Sequence, residues 1–226
     1  MAKSTYSSTK TRNIVATAVF TALAFVCTVV FHFKAGFLSF DLKDSVMTVG
    51  AMMLGSWYGL AMVLVVSVIE AVTISGTGIY GLIMNVLSSA TFVCIGSMIY
   101  SRKRTLKRAV LSMCVSVLAM VAVMLAANLV ITPFYLGVSA TEIAAMMPTL
   151  FLPFNLVKGV FNASVAFMLY RPILSALSGA GFAKKEQTAS AEKHKFSPVP
   201  IIVAAVVATG ALVVFFVCLN GTFAIK

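Results

Sequence analysis

The sequence predicts an all-α integral membrane protein: a six-helix bundle followed by one additional transmembrane helix. Three observations carry this. Of 226 residues, 61% are hydrophobic and 10% charged, with a mean hydropathy of +1.04, whereas a soluble domain carries about 25% charge. Apolar runs fall at 13–31, 45–72, 79–100, 109–132, 149–170 and 198–220. Basic residues gather in short stretches between those runs, where they set orientation across a bilayer. The net charge of +11 is therefore a topology signal and gives no reason to expect nucleic-acid binding.

The first run follows a polar stretch holding Lys3, Lys10 and Arg12. It is about 19 residues long and continues into Phe31-His32-Phe33, which reads as a retained helix and not a cleaved signal. Within it, Ala18-x-x-x-Ala22 forms a small-residue face of the kind that lets another helix approach closely.

The second run is interrupted by GSWYG at 55–59. Two helices, 45–55 and 57–72, with a cytoplasmic N-terminus place 13 of the 17 basic residues inside. The inside clusters are Lys3/Lys10/Arg12, then Arg102–Arg104 with Lys107 and Arg108, then Arg171 with Lys184, Lys185, Lys193 and Lys195. Lys34, Lys43 and Lys226 fall outside, and Lys158 falls in the membrane. A single unbroken span would put the second and third clusters opposite the first, against the positive-inside rule.

The helix at 45–55 then reaches only about 17 Å against about 30 Å of hydrocarbon. Its backbone must be shielded by neighbours. The polar segment Phe40-Asp41-Leu42-Lys43-Asp44 that leads into it suggests a loop folded over the outer mouth of the bundle, with Asp44 or Ser45 capping the helix.

The run at 79–100 follows the loop Ser75-Gly76-Thr77-Gly78, and that at 109–132 follows the second basic cluster. The run at 149–170 carries Asn155, Lys158 and Asn162, spaced to share one helix face. A lysine near the middle of a span costs about 2.5–3.5 kcal/mol on insertion scales, so it must face a partner, a ligand or the bundle interior. The domain reading is a cytoplasmic N-terminus at 1–12, a substrate-binding membrane domain at 13–176, a cytoplasmic linker at 177–197 rich in Gly, Ala, Ser, Lys and Glu, and an added span at 198–220.

Glu70, Asn85 and Asn128 join the stripe as polar residues within spans. One reading is a buried Glu70–Lys158 ion pair with asparagines bridging helices. The other is a pocket open to the outside. Asparagine amides suit the amide or imide edge of a planar heterocycle, and lysine suits hydroxyl or carbonyl oxygens. Phe37, Phe40, Phe134, Tyr135, Phe151 and Phe154 lie near the same level, able to sandwich an aromatic ring. Cys27, Cys94, Cys114 and Cys218 are scattered singly, and His32 and His194 are far apart, so no metal site is expected. Glu70 is the one acidic residue within the spans, no histidine joins it, and no activated nucleophile has an evident base partner, which leaves an enzyme the least supported class. A self-sufficient secondary transporter would use Glu70 as its proton-coupling carboxylate.

The blocks FLSFDLKD (37–44), GSWYG (55–59), SGTG (75–78) with GLIMN (81–85), and PFNLVKG (153–159) together resemble the substrate-binding subunits, or S components, of energy-coupling factor (ECF) vitamin transporters. Within that family the resemblance is greatest to the riboflavin-specific (RibU) type, over about residues 10–175 in order. It implies a bacterial cell-membrane protein that captures riboflavin on the extracellular side, without cofactor and without chemistry on the ligand. It implies that Asn128, Asn155 and Lys158 hydrogen-bond the isoalloxazine edge or ribityl chain, that Asn85 assists, and that Phe40 and Asp41 belong to a lid. Ala18 and Ala22 match the face that docks on the transmembrane coupling subunit EcfT, and two ATPase subunits drive the cycle. The same architecture serves other vitamins or heterocycles. The linker and last helix depart from the family pattern.

Overall fold

The computed structural model of the chain describes residues 2–35, 38–179, 199–219 and 222–223. Its elements are α1 (Ala2–Val30), β1 (His32–Ala35), β2 (Leu38–Asp41), α2 (Lys43–Leu54), α3 (Ser56–Thr73), α4 (Gly78–Arg102), α5 (Leu106–Leu136) and α6 (Ala140–Met146). A π-helical turn (Met147–Phe151) leads into α7 (Leu152–Gly179), and α8 (Val199–Cys218) and β3 (Thr222–Phe223) follow.

Among the described residues, six segments are long and apolar enough to cross a membrane: Lys10–Val30, Ser56–Thr73, Gly78–Arg102, Leu106–Leu136, Ala140–Ser175 and Pro200–Cys218. Helix α2 is not among them. Its 12 residues reach about 18 Å. Every residue from Lys43 to Met53 is buried, because α1, α3, α4 and α7 all pack around it. The short helix is thus the axis of the bundle, and its neighbours supply the shielding that its length requires.

The break between α2 and α3 falls where GSWYG predicts it. Gly55 adopts φ 119°, a conformation that side-chain-bearing residues avoid, and its N–H closes α2 on Ala51 O at 2.8 Å. Gly159 lets α7 approach α5 closely. A Cβ there would lie 2.8 Å from Met120 Cε and 2.9 Å from Val117 Cγ1, so only the smallest residue fits the crossing.

The core is continuous along the bundle. Met47, Met52, Met62, Phe92, Val93 and Met120 fill its middle, and Tyr100, Tyr170 and Leu174 lie toward the end distant from the hairpin. There the Tyr100 and Tyr170 hydroxyls hydrogen-bond to each other, with their rings edge-on at 5.7 Å.

Two features have no counterpart in the sequence reading. Residues 140–151 form α6 and the π turn, with Ser139 as N-cap: its Oγ accepts the Glu142 N–H at 3.3 Å and donates to Glu142 Oε1 at 3.0 Å. The segment before α2 is a β-hairpin, paired from His32↔Asp41 to Ala35↔Leu38. Strand β3 joins it on the other side, pairing Phe33↔Phe223 and Lys34↔Thr222, so the order is β2-β1-β3. Helix α8 packs along α7, with Ala208, Ala211 and Phe215 against Phe154, Val157 and Phe161. The greater part of the expected linker, 180–197, lies outside the described residues.

Candidate ligand-binding site

A cavity of about 120 Å³ opens at the hairpin end, between β2, α3, α4, α5 and α7. A single buried water needs only about 10–15 Å³ on this measure, so the space exceeds a structural water site. Five of the six residues expected to bind ligand border it: Asp41, Asn85, Asn128, Asn155 and Lys158. Phe40 lies in β2, paired with Phe33, and its side chain lies outside the described residues.

The polar stripe on α7 is confirmed as one face, and its three members do different work. Asn162 is structural. Its Oδ1 accepts the Ser45 N–H at 3.1 Å and the Ser45 hydroxyl at 2.7 Å, while its Nδ2 donates to Asp41 O at 3.0 Å. Asn162 therefore holds the N-terminus of α2 from a different helix. Asp41 Oδ1 takes the Lys43 N–H at 2.9 Å. These two side chains satisfy first-turn donors in place of the Asp44 or Ser45 cap that was expected, and the N-cap residue itself is Leu42.

Lys158 is 7% exposed and borders the cavity. Among the described residues its one charged neighbour is Asp44, at 4.0 Å, beyond hydrogen-bond distance. Asp44 Oδ1 is itself buried, with no hydrogen-bond partner among the described residues. The Lys158 ammonium is thus held largely out of water at the cavity margin without a hydrogen bond among the described residues, a costly arrangement unless a ligand or water completes it.

The Glu70–Lys158 pair, one of the two readings of the polar residues, does not form. Glu70 is bonded instead by Lys43, through Oε2, and by Asn85 Nδ2 at 2.6 Å. Lys43 also bridges to Asp41 Oδ2 at 3.1 Å. Far from standing outside at the mouth, Lys43 is 1% exposed. It was misplaced because a lysine in a polar loop reads as solvated, while its partner Glu70 comes from a distant helix.

The remaining amides are partly engaged. Asn128 Nδ2 donates to Met124 O at 2.7 Å, and its Oδ1 accepts from Thr132 Oγ1 at 2.9 Å. Asn155 Nδ2 donates to Phe151 O at 2.8 Å, and its Oδ1 makes no hydrogen bond among the described residues. Of the expected aromatic residues, Tyr135 and Phe154 border the cavity. Phe134 points outward at 73% exposure and Phe151 is buried away from the cavity; Phe37 lies outside the described residues. Tyr80, not anticipated, borders the cavity and lies 6.2 Å from the Tyr135 ring. Its place in the first turn of α4, directly after the SGTG loop, was the available signal. A few convergent polar groups among aromatic and aliphatic walls make a small-molecule binding pocket.

Ala18 and Ala22 lie on the exposed face of α1, while Ala16, Phe20 and Ala24 face the core.

Comparison with known proteins agrees with this architecture. A family model described as "ECF transporter, substrate-specific component" matches residues 12–170. A solved structure reported as the S component of a bacterial ECF transporter superposes with a TM-score of 0.64 at 22% identity, covering 74% of this chain and 98% of that one. No curated protein matches the chain in sequence.

Proposed function

The chain belongs to the family of ECF transporter substrate-specific components, and on that premise we propose that it captures riboflavin and hands it to an ATP-driven module. Members of this family are vitamin-type substrate-binding subunits that work with EcfT and an ATPase module. The observation that carries the riboflavin reading is the Lys158 ammonium at the cavity wall, three residues from the Asn155 Oδ1, both without a hydrogen bond among the described residues. Together they offer a donor and an acceptor along one helix face. Asn128 and the Asn85–Glu70 pair stand across the cavity, and Tyr80, Tyr135 and Phe154 supply aromatic walls. A planar ring with carbonyl and imide edges, carrying a hydroxylated chain, suits that combination.

In this reading Asp41 contributes to the lid from β2, as does the neighbouring Phe40. The N-terminus faces the cytoplasm, because that orientation puts the three basic clusters inside. The exposed small-residue face at Ala18 and Ala22 meets EcfT, and two ATPase subunits supply the energy. The proton-coupled alternative is less supported, since Lys43 and Asn85 already engage the Glu70 carboxylate.

The test is direct. Purified protein is denatured and its ligand identified by mass spectrometry, and riboflavin and FMN are titrated by fluorescence quenching. Riboflavin in the extract, with quenching on titration, is the expected result. No quenching by either flavin overturns the riboflavin reading, and a different heterocycle in the extract redirects it to that ligand.

A further inference from the structure

Helix α8 and strand β3 lie beyond residue 170, where the family match ends, yet α8 packs on a residue of the cavity wall and β3 pairs with the hairpin that borders it. In the sheet order β2-β1-β3, β1 is central. One of its edges carries β2, whose Leu38, Ser39 and Asp41 border the cavity. The other edge carries β3, joined to α8 by only a few residues. An isolated two-stranded hairpin is marginal in stability, and a third strand with a packed partner is what makes such a unit persist.

A second contact is independent of the strand. Phe215 of α8 is fully buried, with its ring 6.5 Å from that of Phe154, a residue of the cavity wall. Leu38 and Leu42, on either side of the end of β2, and Leu219 pack on the same cluster. The opposite face of α8, with Ile202, Val203, Val206, Val213 and Val217, is exposed and aliphatic, as lipid contact requires. A helix serving only as a membrane anchor needs neither the strand nor the contact with the cavity wall.

We propose that α8 and β3 form a latch that holds the β1–β2 hairpin over the cavity and the Phe154 ring in its wall, so that the C-terminal extension controls ligand exchange. Phe215 is then a positioning residue acting through Phe154. This rests on the binding reading of the site and not on the identity of the ligand.

The test uses the full chain in lipid nanodiscs, comparing wild type with the double variant Thr222→Pro/Phe223→Pro and with Phe215→Ala. Proline removes the backbone N–H groups of β3 and leaves α8 intact. Amide hydrogen exchange is followed over residues 32–41, and release of bound riboflavin is followed by fluorescence recovery. Both variants are expected to exchange about tenfold faster or more in β1, because local opening becomes easier. Release is expected to accelerate about fivefold or more, as k_off carries most of such changes. Unchanged exchange in either folded variant overturns the latch, as does faster exchange with an unchanged release rate. Should the proline variant fail to fold, Phe215→Ala decides alone. Should wild type take up no riboflavin, the riboflavin reading fails, and the exchange measurement by itself decides the latch.

Discussion

Lys43 donates to Glu70 inside the bundle, across 27 residues of sequence. Since Lys43 also bonds Asp41 and Glu70 also accepts from Asn85, one buried ammonium links the hairpin, the axial helix and two cavity-lining helices.

Lys43→Met should therefore be strongly destabilising, by about 3–5 kcal/mol, because it leaves buried carboxylates uncompensated. Thermal unfolding in detergent measures this. Lys43→Met combined with Glu70→Gln should lose less stability than the two single changes added together, since the pair acts as a unit. Additive losses would show that the two residues are not coupled.

Lys158 behaves differently, because its nearest charge is 4.0 Å away. Lys158→Ala should weaken riboflavin binding more than tenfold, about 1.4 kcal/mol, while moving the melting temperature of the ligand-free protein little. Fluorescence titration checks the first and calorimetry the second. Unchanged affinity would assign Lys158 to the scaffold.

The two asparagines on either side of Lys158 separate scaffold from pocket. Asn162→Ala strips the buried Ser45 N–H and the Asp41 carbonyl of their side-chain partner and should cost about 1–3 kcal/mol of stability. Asn155→Ala should chiefly lower riboflavin affinity. A reversal of that order in paired melting and titration experiments would reassign the roles.

Ala18→Trp and Ala22→Phe enlarge the exposed face of α1 without touching the cavity. Uptake by the complete transporter should fall sharply, because close helix approach depends on small side chains. Riboflavin binding by the isolated subunit should stay the same. Radiolabelled uptake set against fluorescence titration distinguishes a coupling defect from a binding defect.

Much of this was legible in the sequence, and the rest was hidden for physical reasons. Charge placement alone split α2 from α3, because a misassigned span inverts every later basic cluster. The 3.6-residue period put Asn155, Lys158 and Asn162 on one face, but period cannot say which member faces a cavity and which a neighbouring helix. Lys43 escaped because its burial is created by Glu70, Asp41 and the surrounding bundle, none of which is a local property. The hairpin strands are too short to show alternation. Residues 140–151 mix polar and apolar residues in a way that hides α6. The packing of Phe215 on Phe154 joins two helices across a polar segment and leaves no trace in either run.

The hydroxyls of Tyr100 and Tyr170 meet at the end of the bundle far from the cavity, and the side chains between are closely packed. The protein is thus built as a cup and not as a tunnel. In this conformation a ligand reaches the cavity from the hairpin end. Passage to the other side of a bilayer then needs a change of conformation or of orientation, and labels placed at the rim would tell the two apart.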